Sequence, residues 1–442
     1  MWSSPELSLA APAAREAQRR GEKGRVESIR RLRGCVAGVF AAFIWGATAE
    51  AQPLKLTLDE ALQRALATNN GYRAEMARVA AVRAQLDRSG AWVPQNPYFT
   101  GGLLNTPQTG FGPNFGLSLS QEFEIAGQRS RRMAVAEAAL RSVEWEQRDS
   151  ENDLKAAVQS AFVRALIGRD RVTAAERGAA SMAELTSRAD DGETDRRGVS
   201  RAATVANNQL LIQEARTRRD LLGAEQEAAD AREALLFLIG APPTQEVELI
   251  GAAQTTVRPL PSAEDLVAMA LKNRPDLLAL QHDAERAEKQ VPLVKREGIP
   301  NVTLSGSLSR FENDTFAGGD LSFFLPVLRS HEPEVQEALA DRDRAVFLHE
   351  ELKRSVEREV LQARRVALVT GEVLDLFQRT IVPRSRDNQE IERSRFEQSD
   401  GDASDVIGMM IDAQFAEREY LDAVQAYNDA WIELQRTVAT EL

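Results

Sequence analysis

The chain contains the same order of segments twice. Residues 58–123 read as an amphipathic helix, a proline-containing link and two short alternating strands, and residues 263–327 repeat this order about 205 positions later. Matched positions carry the same residue type, as Leu66 and Leu271 do. Each copy then continues into a long stretch that is nearly free of proline and therefore favours helix. A duplicated unit of two strands and long helices predicts one elongated architecture built twice.

The N-terminal residues are typical of an exported protein. Arg30, Arg31 and Arg33 precede the apolar stretch 35–46, and Ala49-Glu-Ala51 has the small-x-small pattern of a cleavage site. We therefore predict an N-terminal extension and signal peptide over residues 1–51.

The signal peptide has a conventional length only if translation starts at Val26, so Met1 and Val26 are both kept as possible starts. Cys35 is the only cysteine of the chain, and it precedes the apolar stretch. We therefore expect a mature chain without cysteine. Such a chain has no disulfide, thiolate metal site, cysteine nucleophile or lipid-attachment cysteine.

The composition argues against nucleic-acid binding and against a bundle of membrane-spanning helices. The chain is 43% hydrophobic and 28% charged, and no apolar run reaches the ~18 residues that a spanning helix needs. Its net charge is −12; residues 1–51 carry 8 Lys/Arg and 5 Asp/Glu, so the remainder is near −15. A polyanion does not bind nucleic acid by neutralising phosphates. An acidic surface suits the passage of cations.

Four short strands are predicted from alternating patterns. In residues 115–123, apolar Phe115, Leu117 and Leu119 alternate with small or polar residues, which indicates a strand with two different faces. The predicted strands are residues 98–106 and 115–123 in the first repeat, and 301–310 and 320–326 in the second. Loops rich in Gly, Pro and Asn are predicted at Pro107–Asn114 and Glu312–Gly319. Soluble hairpins and tilted membrane strands both give this pattern.

The proline-free stretches predict two pairs of long helices. These are residues 126–188 and 199–239 in the first repeat, and 334–398 and 402–441 in the second. In each repeat a shorter helix, 72–92 or 275–297, stacked end to end on the second long helix would match the first one at about 95 Å. Thr57 is a predicted N-cap for a helix over Leu58–Thr68. A heptad seam through Tyr420, Val424, Tyr427, Trp431, Leu434 and Val438 indicates coiled-coil packing.

These elements together predict the fold class and the domains. An open four-stranded sheet leaves unpaired edge groups that are costly in lipid, so its edges must close on other copies. Three copies would give twelve strands. We therefore predict a mainly α protein with a trimeric twelve-strand transmembrane β-barrel and a periplasmic α-helical barrel. The repeats span residues 52–261 and 262–442.

Several motifs resemble those of the outer membrane efflux protein (TolC) family. They are Leu56–Leu66 at the mature start, Ala270–Leu277 opening the second repeat, Leu325–Leu328 after its strands, and Ser404–Ile407 opening the last helix. Glu124–Arg129 resembles the strand-to-helix junction of the heavy-metal, CzcC-like branch. Ser330, His331 and Pro333 stand where the family has Asn and Gly, which weakens the assignment to the branch more than that to the family.

The resemblance implies a homotrimer in the outer membrane with its helical tunnel in the periplasm. It implies a passive exit duct for heavy-metal cations that opens on contact with a periplasmic adaptor (membrane fusion protein) and an inner-membrane, proton-driven RND-type pump. Export of drugs, other organic compounds or proteins through the same type of duct is the alternative. A periplasmic adaptor is the alternative from another class, although it would have one helical hairpin rather than two strand-pair repeats.

Acidic residues mark the two predicted turns at the far end of the long helices. In a trimer each carboxylate occurs three times, and such rings attract cations. The candidates at the tunnel entrance are Asp190 and Asp191 in the turn 190–195, and Asp400, Asp402 and Asp405 in the turn 400–405. Asp405 matches the family's gate Asp, while Gly408 stands where a second Asp often occurs. Arg395 and Phe396 match the family's Arg-Tyr pair, whose charge link to an acidic neighbour would latch the closed state. Solvated helix caps and ordinary surface packing explain the same residues without a gate.

No pattern in the chain predicts catalysis, a cofactor or a metal site. His331-Glu332 and His349-Glu350 begin like a zinc-protease motif, but the residues four places after each histidine are Val335 and Lys353. No phosphate-binding glycine loop, serine-nucleophile motif or dinucleotide fingerprint is present. We therefore expect a protein that is not an enzyme.

Overall fold

The computed structural model describes residues 54–104, 114–194, 201–311, 314–326, 330–397 and 403–442. The predicted signal peptide, both candidate starts, Asp400 and Asp402 lie outside these residues. The described residues form two units. The smaller contains Leu54 and residues 245–248, and within it the Leu54 amide donates to the Glu246 carbonyl at 2.9 Å. The larger contains every other described residue.

Helices make up most of the described chain. The strands are β1 (Leu54–Leu56), β2 (Tyr98–Leu104), β3 (Asn114–Phe123), β4 (Val247–Leu249), β5 (Val302–Phe311) and β6 (Asp314–Phe323). The helices of the first repeat are α1 (Leu58–Thr68), α2 (Asn70–Ser89), α3 (Gln128–Thr194) and α4 (Arg201–Leu238). Those of the second are α5 (Ala263–Asn273), α6 (Pro275–Glu297), α7 (Glu332–Leu376), a π-helical turn (Phe377–Ile381), α8 (Val382–Glu397) and α9 (Ala403–Val438).

The strand pairs of the two repeats join into one antiparallel sheet of order β2-β3-β5-β6. Leu117 of β3 lies opposite Leu308 of β5, so the repeats meet along this central pair. The sheet is open, with β2 and β6 as its edges. At one end of the sheet all four strands connect to helices.

The predicted boundary of the last strand is wrong. The expected loop Glu312–Gly319 is strand from Asp314, because β6 pairs with β5 along its whole length, and the strand ends at Phe323 instead of residue 326. Gly318 and Gly319 suggested a loop, but they lie opposite Ser307 and Gly306 within the ladder. Glycine lacks a side chain and so hides the period-two pattern without preventing pairing.

The longest helix also passes through a predicted turn. α3 has 67 residues, about 100 Å at 1.5 Å per residue. It continues through Asp190 and Asp191 to Thr194, so the helix boundary at 188 and the turn beginning at 190 are wrong. Gly192 suggested the turn, yet one glycine inside a helix costs only about 1 kcal/mol.

The helix predicted over 334–398 is interrupted once. α7 begins at Glu332, where Pro333 occupies the first turn, a position that needs no proline N–H. The π turn at Phe377–Ile381 then precedes Pro383 in α8. A proline inside a helix removes a hydrogen bond and collides with the preceding turn, so a wider turn before it relieves the conflict.

The predicted N-cap of α1 is confirmed. The Glu60 amide donates to Thr57 Oγ1 at 3.3 Å, and the Thr57 amide donates to Glu60 Oε2 at 3.0 Å, which forms a capping box. The helix bounds Leu58–Thr68 and Pro275–Glu297 also agree with the sequence prediction.

Each short helix of a repeat joins the end of that repeat's last helix. Thr68 Oγ1 donates to the Ile239 carbonyl at 2.7 Å, which connects α1 and α2 to the end of α4. Asn273 Nδ2 donates to Thr440 Oγ1 at 2.9 Å, which connects α5 and α6 to the end of α9. Thr68 and Asn273 occupy matching positions of the two repeats. The structure therefore contains the end-to-end stacks expected from the helix lengths.

The long helices pack side by side in an open row. α4 lies against α3, α3 against α9, and α9 against α7 and α8. We call this arrangement the helical row; α4 forms one end and α7–α8 the other. The predicted seam of α9 is buried in the row, with Val424, Tyr427 and Leu434 at most 2% exposed. Within the described ranges, no helix is both long and apolar enough to cross a membrane.

Candidate functional site

The tip of the helical row lies far from the sheet. α3 starts five residues after β3 and carries the chain about 100 Å away, so Thr194, Arg201, Glu397 and Ala403 mark the described ends of the row's helices at the tip. A buried cluster of Met182, Leu210 and Ile407 holds α3, α4 and α9 together near this end.

Asp405 lies in the first turn of α9 and is exposed. The next residues, Val406 and Ile407, are buried at 4% and 9% exposure, so the backbone of Asp405 is fixed while its carboxylate faces solvent. Negative charge is favourable at a helix N-terminus. At Gly408 an added Cβ would meet nothing within 4 Å, so the position of the missing second Asp is open space.

Of the other predicted tip residues, the structure gives a side-chain partner for Arg395 and the helix to which Phe396, Asp190 and Asp191 belong. Arg395 Nη1 lies 2.9 Å from Glu392 Oε1, one turn earlier on the same helix, instead of pairing with an acidic residue of a neighbouring helix. Phe396 belongs to α8, and Asp190 and Asp191 belong to α3. The structure thus puts Asp405, Arg395 and Phe396 at the ends of adjacent helices.

A groove of about 640 Å³ lies over α3 between α4 and α9. Its floor consists of the small residues Ala174, Ala175, Gly178, Gly223 and Ala224. Charged side chains from the three helices line its rim, among them Arg171, Arg216, Asp220, Glu227, Glu417 and Arg418. A small-residue floor lets another backbone approach closely, and the mixed rim suits a helix with charged flanks. Sequence reasoning did not find the groove, because its three helices meet only in the fold.

The segment 250–261 forms a strap across α7 and α9. The Gln254 amide donates to Asn428 Oδ1 at 3.2 Å, and Asn428 Nδ2 donates back to the Gln254 carbonyl at 2.8 Å. The Arg258 amide donates to the Tyr427 hydroxyl at 2.9 Å, and its guanidinium lies over the Trp431 ring at 5.4 Å. The strap therefore fixes α9 midway between the sheet and the tip.

A charged joint connects α6, α7 and α3. Arg274 is only 8% exposed and contacts Asp276 at 2.6 Å and Glu359 at 2.7 Å. Burial by itself lowers the pKa of Arg274, but the hydrogen bonds from both carboxylates outweigh burial and raise it. On α3, burial and then the charges of Asp276 and Asp153 raise the pKa of Asp149 to about 6. The sequence motif contained Arg274 and Asp276 but gave no sign of Asp149.

The Glu124–Arg129 motif fastens the sheet to the helices. Gln128 is 3% exposed, and its Nε2 donates to Asn301 Oδ1 at 3.0 Å. Both terminal nitrogens of Arg132 bond the Glu124 carboxylate. Gly127 has φ +74°, a conformation that favours glycine at this sharp change of direction. The motif therefore acts as a rigid connection between β3 and α3.

The described part of the chain contains no group of three or more His, Cys, Asp or Glu residues placed to hold a metal ion. The histidines lie next to single carboxylates; His282 Nδ1, for example, is 3.0 Å from Glu285 Oε2.

Comparisons with known proteins support a channel fold. No protein-family model matches the chain. The cobalt-zinc-cadmium resistance protein CzcC of Cupriavidus metallidurans (strain ATCC 43123 / DSM 2839 / NBRC 102507 / CH34) is 24% identical over 267 residues, a match that covers 59% of this chain and 61% of CzcC. The chain thus matches less than two thirds of this curated relative.

Solved structures match over more of the chain. The structure of CusC has a TM-score of 0.72 at 16% identity, covering 87% of this chain and 92% of CusC. The open-state MtrE outer membrane channel of Neisseria gonorrhoeae has a TM-score of 0.73 at 16% identity, covering 87% and 89%. The resemblance in sequence motifs therefore extends to three dimensions, and the chain has the fold of the TolC-like outer membrane efflux channels.

Proposed function

We propose that this protein is the outer membrane channel component of a tripartite efflux system. The observation that supports this proposal best is the pairing of an open four-stranded sheet with a helical row that ends about 100 Å away from it. This pairing gives a path rather than a reaction centre, and it matches structures of outer membrane channels.

Three copies would close both parts. The sheet of one copy has two unpaired edges, so twelve strands from three copies can form a barrel in the outer membrane without exposed edge groups. The helical rows would form the tunnel in the periplasm. Two hairpins joined in one sheet argue against the alternative of a periplasmic adaptor.

The cargo that we propose is heavy-metal cations. CzcC is named for resistance to cobalt, zinc and cadmium, and this chain matches part of it. The net charge of −12 is compatible with the passage of cations. Export of drugs, other organic compounds or proteins remains the second candidate, since structures of other outer membrane channels match equally well.

Asp405 is the proposed gate residue at the tip. Its fixed backbone and exposed carboxylate would form a ring of three charges in the trimer. Asp400, Asp402, Asp190 and Asp191 are proposed as further charges at the entrance.

The proposed partners are a periplasmic adaptor and a proton-driven inner-membrane pump of the RND type. The groove over α3 is the proposed contact for a helix of the adaptor, because its floor is small and its rim carries both signs of charge. The pump supplies the energy, and this protein supplies the exit.

Native mass spectrometry of the protein extracted from purified outer membranes, followed by conductance in planar bilayers, tests the proposal. We expect a trimer whose chains start at Gln52 and which conducts cations. Deletion of the gene should raise cellular Co²⁺, Zn²⁺ or Cd²⁺ when the pump is expressed. A monomer absent from the outer membrane would contradict the channel, whereas a conducting trimer with unchanged metal levels would favour organic cargo.

A further inference from the structure

One end of the helical row carries an apolar stripe that the described part of the chain leaves uncovered. The stripe consists of Val366, Val369, Val373 and Leu376, which are 39% to 58% exposed. Their spacing of three, four and three residues is that of a coiled-coil seam, which packs against a second helix. The opposite side of α7 packs inside the row, where Ala367 and Leu374 are buried at 2% and 0% exposure. We call the exposed residues the α7 stripe.

The π turn keeps the α7 stripe continuous into α8. Phe377 packs against the buried cluster that contains Leu374 and Tyr427, so the next exposed apolar residue after Leu376 is Ile381. Ile381 lies five places later, where a regular seam would step by three or four. The π turn Phe377–Ile381 lies in this interval, and its wider turn accommodates one extra residue. Ile381 and Ile391 extend the stripe toward the tip at 39% and 56% exposure.

The other end of the row carries a second exposed stripe. Leu211, Leu222 and Phe237 of α4 are 51%, 60% and 79% exposed. The side of α4 that faces α3 is buried instead, for example at Leu235. We call the three exposed residues the α4 stripe. The row therefore has two different apolar ends, which cannot meet each other within one copy.

Contacts within the chain show that the two stripes lie at the same heights, where height means the position along the axes of the long helices. Three contacts link the helices of the row: Gly168 with Ala228, Gly178 with Gln414, and Gly371 with Tyr427. Counting about 1.5 Å per residue from these contacts gives three level pairs across the two ends. The pairs are Phe237 with Val366, Leu222 with Ile381, and Leu211 with Ile391, each level to within about one helical turn.

Charges beside the stripes are complementary at the same heights. Arg232 of α4 is level with Glu372 of α7, and Glu225 of α4 is level with Arg379 of the π turn. All four side chains are exposed. The like charges Arg219 and Arg384 are also level, but each lies beside an acid of its own helix, Asp220 and Asp387.

We infer that the α4 stripe of one copy packs against the α7 stripe of the next copy. The two surfaces differ, so the contact is heterologous and repeats around a ring. Rotation about an axis along the helices preserves height, which is why level pairs become contacting pairs. The inference rests on the proposed channel assembly and adds the residues that join its copies.

Cysteine pairs test the contact in the full chain, whose only cysteine precedes the predicted cleavage site. Leu222→Cys combined with Ile381→Cys should form reducible dimers and trimers on mild oxidation, since a disulfide needs Cα atoms within about 7 Å. Leu222→Cys with Val366→Cys is the matched control, because these positions differ by about 22 Å in height and should not cross-link. Each single cysteine variant should also stay uncross-linked.

A charge exchange gives a second measurement if the cysteine pair does not accumulate. Arg232→Glu or Glu372→Arg alone should lower the fraction of assembled protein several-fold, and the double variant should restore it. A conducting trimer in which the control pair at 222 and 366 cross-links, while the pair at 222 and 381 does not, would overturn the inference. It would leave the proposed function intact. A chain that never assembles and never conducts would overturn both.

Discussion

Asn273 donates a hydrogen bond from its side-chain amide to the hydroxyl of Thr440 at 2.9 Å. The bond joins the start of the second repeat to the end of the chain's last helix. In the first repeat the matching residue is Thr68, whose hydroxyl donates a hydrogen bond to the Ile239 carbonyl at the end of α4. The duplication has therefore kept the joint while changing the side chain that makes it.

Replacing Asn273 by Ala should lower the free energy of unfolding by about 1 kcal/mol, the usual net contribution of one hydrogen bond. Thr68→Val in the first repeat should cost about as much, because it also leaves the Ile239 carbonyl without this donor. Thermal unfolding of the detergent-solubilised protein measures both. Equal midpoints for both variants and the parent would show that the joints add no stability.

Replacing Arg274 by Met should lower the free energy of unfolding much more. The side chain is almost buried between Asp276 and Glu359, so its removal leaves two carboxylates without their counter-charge. Breaking a buried pair from one side costs about 3–5 kcal/mol. Arg219→Met is the control, since Arg219 pairs with Asp220 at the surface and such pairs contribute about 1 kcal/mol or less. If the two variants lose similar amounts of stability, the charged joint contributes no more than a surface ion pair.

Asp149 should make stability depend on pH. Its pKa is raised from 3.8 to about 6 in the folded chain, by burial first and then by Asp276 and Asp153. The native state therefore keeps a proton that the unfolded state releases, and the stability gained in this way is lost as the pH rises from about 4 through 6.

Asp149→Asn removes the cost of ionising a carboxyl group in the folded chain. The variant should therefore be more stable than the parent at pH 7.5 by about 1–2 kcal/mol, with solvent screening at this half-buried site taken into account. Near pH 4 the two proteins should unfold alike, because the parent is then protonated. Unfolding midpoints across pH 4–8 check the prediction, and parallel curves would refute it.

Two helical glycines should respond oppositely to alanine. A Cβ at Gly168 would lie 3.1 Å from the Ala228 Cα, so Gly168→Ala should push α3 from α4 and cost about 1–3 kcal/mol. A Cβ at Gly223 would meet nothing within 4 Å, so Gly223→Ala should stabilise α4 by about 0.5–1 kcal/mol. Denaturant midpoints measure both, and a gain at Gly168 would show that the helices are less tightly packed than the structure indicates.

Much of the fold was predictable because it depends on local patterns. Alternation predicted β3 and β5, proline spacing predicted the long helices, and Thr57 with Glu60 predicted a capping box that the structure confirms. Two of the wrong boundaries, the start of β6 and the end of α3, fall at glycines, at residues 318–319 and at Gly192. Glycine carries no side-chain pattern, so tertiary pairing decides its conformation.

The functional surfaces were less predictable because they combine distant segments. The strap joins residues 250–261 to Tyr427 and Asn428, and the groove joins three helices. A hydrophobic period can reveal one face of one helix. It does not reveal which polar side chains from elsewhere in the chain meet that face.

Asp405 should influence cation passage through charge alone. Asp405→Asn keeps the size of the side chain but removes three charges from the tip of a trimer. We expect block of the channel by a divalent cation to weaken by about tenfold, which corresponds to about 1.4 kcal/mol. Single-channel recordings with Co²⁺ or Zn²⁺ on the side of the tip measure this effect.

Asp59→Asn is the matched control, because Asp59 is also an exposed carboxylate in the first turn of a helix but lies in α1, away from the tip. Both variants lose the same favourable interaction with a helix N-terminus, so a loss of stability would affect them alike. Only Asp405→Asn should change the block. If both variants are blocked as the parent is, Asp405 is a helix-terminus residue and the gate must lie elsewhere at the tip.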